Sequence, residues 1–164
     1  MARRVGARLK RRRRRNYAVA QALVGGRRLT LVQPLTYMNA SGEVIKPVLA
    51  ECDATIEDLV VVCDTMDLDP GASRLRLAGS SAGNKGLASV LRVLGTEQVK
   101  RIYVGVGRPL PGVAVIDHVL SRPPPAAARA VALAVDRVCG HLELLLDGDY
   151  QRAMNLINQR GVPA

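Results

Sequence analysis

Residues 17–24 read YAVAQALV, the near-alternation of a strand, and residues 28–33 read as its returning partner across Gly25-Gly26. Pro34 closes this predicted hairpin. Beyond it, Val44, Ile45, Val48 and Leu49 share one face of a predicted helix with Ser41 as a candidate cap, although Pro47 must then lie in the first turn or at a kink. Residues 59–63, LVVVC, are apolar without a break and predict a strand buried on both faces. Residues 74–77 alternate arginine and leucine, so one face of that strand is wet. A glycine- and serine-rich loop, 79–86, opens a helix with Leu87, Val90, Leu91 and Leu94 inward and Gly95 at its end. Residues 102–106 predict another buried strand, broken by Gly107-Arg108-Pro109. Residues 115–120 form a short extended or helical piece. One long helix is predicted over 124–146 and a last one over 150–158.

Strands alternating with helices imply the α/β class: a single domain over residues 16–164, a mixed twisted sheet covered by helices. In such sheets ligands gather at the carboxyl ends of the strands. Asp64 directly follows the apolar strand, Asn39 lies shortly after the hairpin, and loop 79–86 precedes a helix whose N–H groups favour anions. The three segments are predicted to meet on one rim.

Charge adds a second region. The net charge is +10, yet nine of the 24 basic side chains (Arg3, Arg4, Arg8, Lys10 and Arg11 to Arg15) lie in residues 1–15, which hold no acid. That leaves 15 basic against 14 acidic residues, near balance, in the remainder. A run of consecutive arginines repels itself, so residues 1–15 are expected to be a disordered basic arm with a generic affinity for polyphosphate. No apolar run reaches the roughly 20 residues of a membrane helix, and nothing follows the basic start that resembles a secretory signal. Cys52, Cys63 and Cys139 have no metal-ligand spacing and read as buried, reduced thiols of a cytoplasmic protein. His118 and His141 stand alone, so neither a metal nor a cofactor is expected.

Among the candidate chemical groups, Asp64 after a strand suits either a turn start or a catalytic carboxylate. A nucleotide-binding loop is rejected for residues 79–86: the glycine spacing is short, Asn84 intervenes before Lys85, and no Ser or Thr follows the lysine.

Two stretches go further than spacing. One is Pro34-Leu35-Thr36-Tyr37-Met38-Asn39-Ala40-Ser41-Gly42. The other runs from Asp64 through Asp67, Pro70 and Gly71 to Gly79-Ser80-Ser81-Ala82-Gly83-Asn84-Lys85-Gly86-Leu87. Together they resemble the bacterial-type peptidyl-tRNA hydrolases, and the likeness covers about residues 17–159, including Gly105-Val106-Gly107-Arg108-Pro109 and the late Gly148, Ala153, Met154 and Asn155. The resemblance implies hydrolysis of the ester joining a peptide to its tRNA, with peptidyl-tRNA as partner, no membrane and a monomer. It implies that Asp64 orients and charges a catalytic histidine, that Asn39 contacts the substrate near the scissile end while Tyr37 helps shape the substrate-binding cleft, and that the substrate-binding candidates Asn84 and Lys85 stand where many members carry His-Asn. His118 and His141 match no catalytic position. The family's first strand and its histidine segment would precede residue 17, where the basic arm stands, so little hydrolysis is expected of these residues alone. The alternative is a catalytically inactive relative that binds tRNA or another RNA.

Overall fold

In the computed structural model, which describes residues 1–158, the hairpin is as predicted: β2 (Tyr17–Val24) and β3 (Arg27–Pro34) pair antiparallel from Tyr17↔Pro34 to Val24↔Arg27. The chain divides into two compact units, residues 1–61 with 76–101, and residues 62–75 with 102 onward.

The first unit departs from expectation at its start. The basic segment is not a featureless arm: residues Ala2–Val5 form a 3-10 turn, and β1 (Lys10–Arg11) pairs with β2 through Lys10↔Val19 and Arg11↔Ala18. The outer edge of β2 offers unpaired N–H and C=O groups, and satisfying them needs only the backbone of residues 10 and 11, so their charges stay in water. Arg15 Nε then binds Glu51 Oε1 at 3.0 Å. The water-excluded Tyr17 hydroxyl is the main group holding the Glu51 carboxyl below its ordinary range, opposed by desolvation and aided by Arg15 and Arg12. A carboxyl depressed in the fold stabilises above its unfolded pKa of roughly 4.3, and that stability fades as pH falls through the lower folded value. Between pH 5 and 2, thermal melting of Glu51→Gln is therefore expected to fall less steeply than that of the parent.

Next, Met38–Val44 is a 3-10 segment that runs into α1 (Ile45–Cys52). Ser41 is not the predicted cap, because its Oγ donates back to Met38 O at 2.8 Å. Pro47 falls in the first turn of α1, where its missing N–H has no partner to lose. Tyr17, Val44, Ile45, Val48 and Val90 form the core, with Val19, Val32, Leu49, Leu59 and Leu94 packed on it. Each such aliphatic side chain contributes about 1.5–3 kcal/mol on burial. Val90 comes from α2 (Lys85–Leu94), which Asn84 caps and which ends at Gly95 in the left-handed region, φ 70°.

The second sheet has the order β4 (Val60–Thr65), β6 (Lys100–Gly105), β5 (Ser73–Arg76). The α/β class holds, with two three-stranded sheets in place of one. β4 is not buried on both faces: Val62 is 46% exposed, so an apolar run here lacks a cover on one side. β5 alternates buried Ser73 and Leu75 with exposed Arg74 and Arg76, as read. Its backbone is closed from the chain's far end: Asn158 Oδ1 accepts from Leu75 N at 2.6 Å, and Ser73 Oγ donates to Ile157 O at 2.8 Å. α3 (Val115–Leu120) precedes the predicted long helix, which breaks into α4 (Pro125–Gly140) and α5 (Leu142–Leu146). Gly140 is a poor helix former, and His141 takes φ −120°, off the helical path, letting Leu142 and Leu145 turn inward. α6 (Tyr150–Ile157) ends the described chain. The three cysteines form no disulfide among the described residues and are half-buried, less covered than expected. Among the described residues, no helix is long and apolar enough to cross a membrane.

Candidate functional site

Within the first unit, Tyr37-Met38-Asn39 leaves β3 through Pro34 and is held against the start of α2. Gly42 is the contact point: its N–H donates to Ser89 Oγ at 3.0 Å, and a Cβ on it would overlap the Ser89 carbonyl. Only glycine permits that approach. Gly42→Ala is expected to cost about 1–3 kcal/mol by overpacking and to lower the melting temperature by roughly 3–10 °C in a differential scanning experiment. Met38 packs on Gly86 in the same junction. The sequence-predicted residues Tyr37, Asn39, Asn84 and Lys85 are thus gathered on one packed junction of the 3-10 segment with α2.

Their states differ. Tyr37 is 88% exposed and Met38 51%, so the segment presents apolar surface to solvent rather than burying it. Asn39 is exposed, with no hydrogen bond to its carboxamide among the described residues. Asn84 Oδ1 accepts from Leu87 N at 2.9 Å, which makes it the N-cap of α2. That oxygen has a second lone pair, and the amide N–H groups can still donate. Lys85, exposed, is the first helical residue, placing a cation beside the positive end of the helix dipole.

Arg101 was not found by sequence reasoning. It is 1% exposed, and its guanidinium donates to Gly79 O at 2.5 Å, Ser80 O at 3.3 Å and Glu97 O at 3.1 Å. Gly79 N also donates to Glu97 O at 3.1 Å. One buried cation therefore ties the start of the loop that carries Asn84 and Lys85 to the residues following α2. The available signal was a basic pair, Lys100-Arg101, heading an otherwise apolar strand.

Asp64 lies in the second unit, half-buried near the end of β4. The exits of β4 and β6 are laced together: Val106 N donates to Thr65 O at 2.9 Å and Gly107 N to Leu68 O at 3.0 Å. Gly105 presses so close to Leu68 and Asp69 that a Cβ would overlap both carbonyls. This lacing fixes the backbone that follows Asp64. Arg108 closes the loop by pairing with Asp67 at 2.8 Å, with 78% and 62% of the two side chains exposed, a pair worth little energetically. His118 Nε2 lies 3.0 Å from Gly107 O, so its ring is engaged on that loop; His141 sits at the α4–α5 break.

A family model described as peptidyl-tRNA hydrolase matches residues 1–164, farther toward the start than the motifs alone reached. The peptidyl-tRNA hydrolase of Geobacillus kaustophilus (strain HTA426) is 44% identical over 138 residues, covering 84% of this chain and 74% of the relative. That of Bacillus subtilis (strain 168) is 39% identical over 137 residues, covering 84% and 73%. The crystal structure of peptidyl-tRNA hydrolase from Acinetobacter baumannii superposes with a TM-score of 0.89 at 28% identity, over 98% of this chain and 81% of that one. A peptidyl-tRNA hydrolase in complex with n-propanol gives 0.90 at 28% identity, over 99% and 82%.

Proposed function

The chain belongs to the peptidyl-tRNA hydrolase family, and we propose how its own residues serve that family's reaction, the hydrolysis of the ester that joins a peptide to tRNA. Asn39 meets the substrate near the scissile ester. A carboxamide both donates and accepts, which suits peptide N–H and C=O groups and ribose hydroxyls alike. Tyr37, standing out in solvent, offers a ring face on which an unpaired base at the acceptor end can stack. Lys85, with the N-terminal amides of α2, receives a phosphate near that end. Asn84 serves mainly by capping α2, and so by holding Lys85 and the loop in place.

Asp64 is assigned the electrostatic part. A carboxylate held by a strand fixes the tautomer of a partner imidazole and stabilises its protonated form while that base takes a proton from the attacking water. The proton then passes to the leaving ribose oxygen. By the resemblance the partner is a histidine, and neither His118 nor His141 occupies a matching position. The substrate places the protein where translation occurs, in the cytoplasm, acting as a monomer.

The observation that carries this reading is the family match across residues 1–164, supported by the exposed Tyr37–Asn39 segment packed on the start of α2. The test is release of the acyl group from an N-blocked aminoacyl-tRNA by the purified chain. The release that residues 1–164 support, small by the resemblance, is expected from the ester and not from an amide-linked analogue. A chain that melts cooperatively and binds tRNA, yet releases nothing, would overturn the hydrolytic reading in favour of a binding-only relative.

A further inference from the structure

The strongest feature that the proposed chemistry leaves unused is the basic segment at the start of the chain. Arg11 to Arg15 and Asn16 wall a concavity of about 460 Å³ in the first unit. All six are exposed. Arg15 is engaged by Glu51, whereas Arg11 to Arg14 make no ion pair among the described residues. Four guanidiniums thus face water without an ion-pair partner among the described residues, Arg12 acting on Glu51 only from farther off.

The backbone beneath them is fixed. Lys10 and Arg11 pair with β2, Arg12 N donates to Tyr17 O at 3.1 Å, Arg15 N to Arg12 O at 3.3 Å and Leu35 N to Asn16 O at 2.8 Å. Arg14 turns the chain through the left-handed region at φ 58°. A tail of free arginines would lose its backbone entropy on binding; here part of that loss has already occurred in folding.

We propose that this arginine loop is a phosphate-binding surface that grips the sugar–phosphate backbone of the tRNA substrate away from its ester end. This rests on the reading of peptidyl-tRNA as substrate. Guanidinium forks match phosphate oxygens in pairs, and several of them together release condensed counterions. The loop has no aromatic or large apolar side chain between Arg11 and Asn16, so it reads neither bases nor a lipid interior. Outside residues 1–15 the chain holds 15 basic against 14 acidic residues, so segment 1–15, to which the loop gives five of its nine charges, holds nearly all of the net charge available for attracting RNA.

The experiment compares the parent chain with a variant in which Arg11 to Arg14 are replaced by Gln, leaving Arg15 and the β1 pairing intact. Binding of deacylated tRNA is followed against salt, and hydrolysis is followed on two substrates, a full-length N-blocked aminoacyl-tRNA and a short acylated oligonucleotide carrying only the acceptor end. The expected result is a slope of log K against log salt smaller by about 3–4 units. KM on the full-length substrate is expected to rise at least tenfold, and KM on the short one to change less than about twofold. An unchanged salt slope would overturn the proposal. So would an equal rise in KM on both substrates, or competition by anionic vesicles as strong as that by tRNA. Loss of hydrolysis on both substrates by the parent itself would defeat the hydrolytic reading instead, while the binding slopes would still decide the role of the loop.

Discussion

Asp64→Asn is expected to lower kcat for peptide release by roughly 10²–10⁴, with KM within about twofold of the parent and the melting temperature nearly unchanged. Asparagine has the same shape, so the half-buried place of residue 64 near the end of β4 is kept. The laced exits of β4 and β6 depend on backbone groups of Thr65, Leu68, Val106 and Gly107, none of which the change touches. What disappears is the negative charge. An amide can turn an N–H toward a partner imidazole, which favours the tautomer unable to accept the water proton, and it cannot stabilise the imidazolium formed in the transition state. The effect falls on a charge that develops only during reaction, so it belongs in kcat. Steady-state kinetics on an N-blocked aminoacyl-tRNA read kcat and KM, and a thermal melt reads the fold. A kcat within about twofold of the parent would remove Asp64 from the mechanism.

How much of this was legible in the sequence depends on how local the cause is. The hairpin was, because alternation and a Gly-Gly turn act over a dozen residues. So was α2, with its apolar stripe and its closing Gly95. The TYMN stretch and Asp64 were legible as carriers of the family likeness, which the family match bears out over residues 1–164. Three features were decided by neighbours that the sequence does not order. Val62 is exposed although its run is as apolar as any covered strand, because covering is a property of what packs outside it. The split between α4 and α5 hangs on the backbone of His141, while the apolar periodicity runs on across it. The basic segment gained a strand because β2 had an edge to offer, whatever the charge of the residues that took it. Asn84 illustrates a fourth kind of difficulty: an amide at a helix start can be a ligand, a cap or both, and the capping role shows only in the 2.9 Å bond to Leu87 N.

Arg101 is the residue whose loss should be felt most in the fold and, through it, in substrate binding. A lysine-or-arginine pair before an apolar strand looks like a wet strand end. Instead the guanidinium is buried and surrounded by carbonyl oxygens, with no carboxylate as partner among the described residues and with Nε unsatisfied. Burying such a cation is costly, and three charge-assisted hydrogen bonds, each worth about 1.5–3 kcal/mol, offset the cost. Arg101→Met keeps the volume and removes the desolvated charge, but it strands the carbonyls of Gly79 and Ser80. The net loss is expected to be about 2–4 kcal/mol, which lowers the melting temperature by roughly 5–15 °C for a chain of this length. Freed at its start, the loop carrying Asn84 and Lys85 should sample more conformations, so KM rises about three- to tenfold while kcat at saturation stays within about threefold, since Asp64 is untouched. Arg101→Lys retains a charge that can reach one or two of the carbonyls and is expected to recover part of both losses. Amide hydrogen exchange over residues 80–84 separates positioning from mere core filling. Exchange there should quicken in Arg101→Met more than in the β2–β3 hairpin. Equal quickening in both places, with KM unchanged, would reduce Arg101 to a residue that stabilises the first unit as a whole.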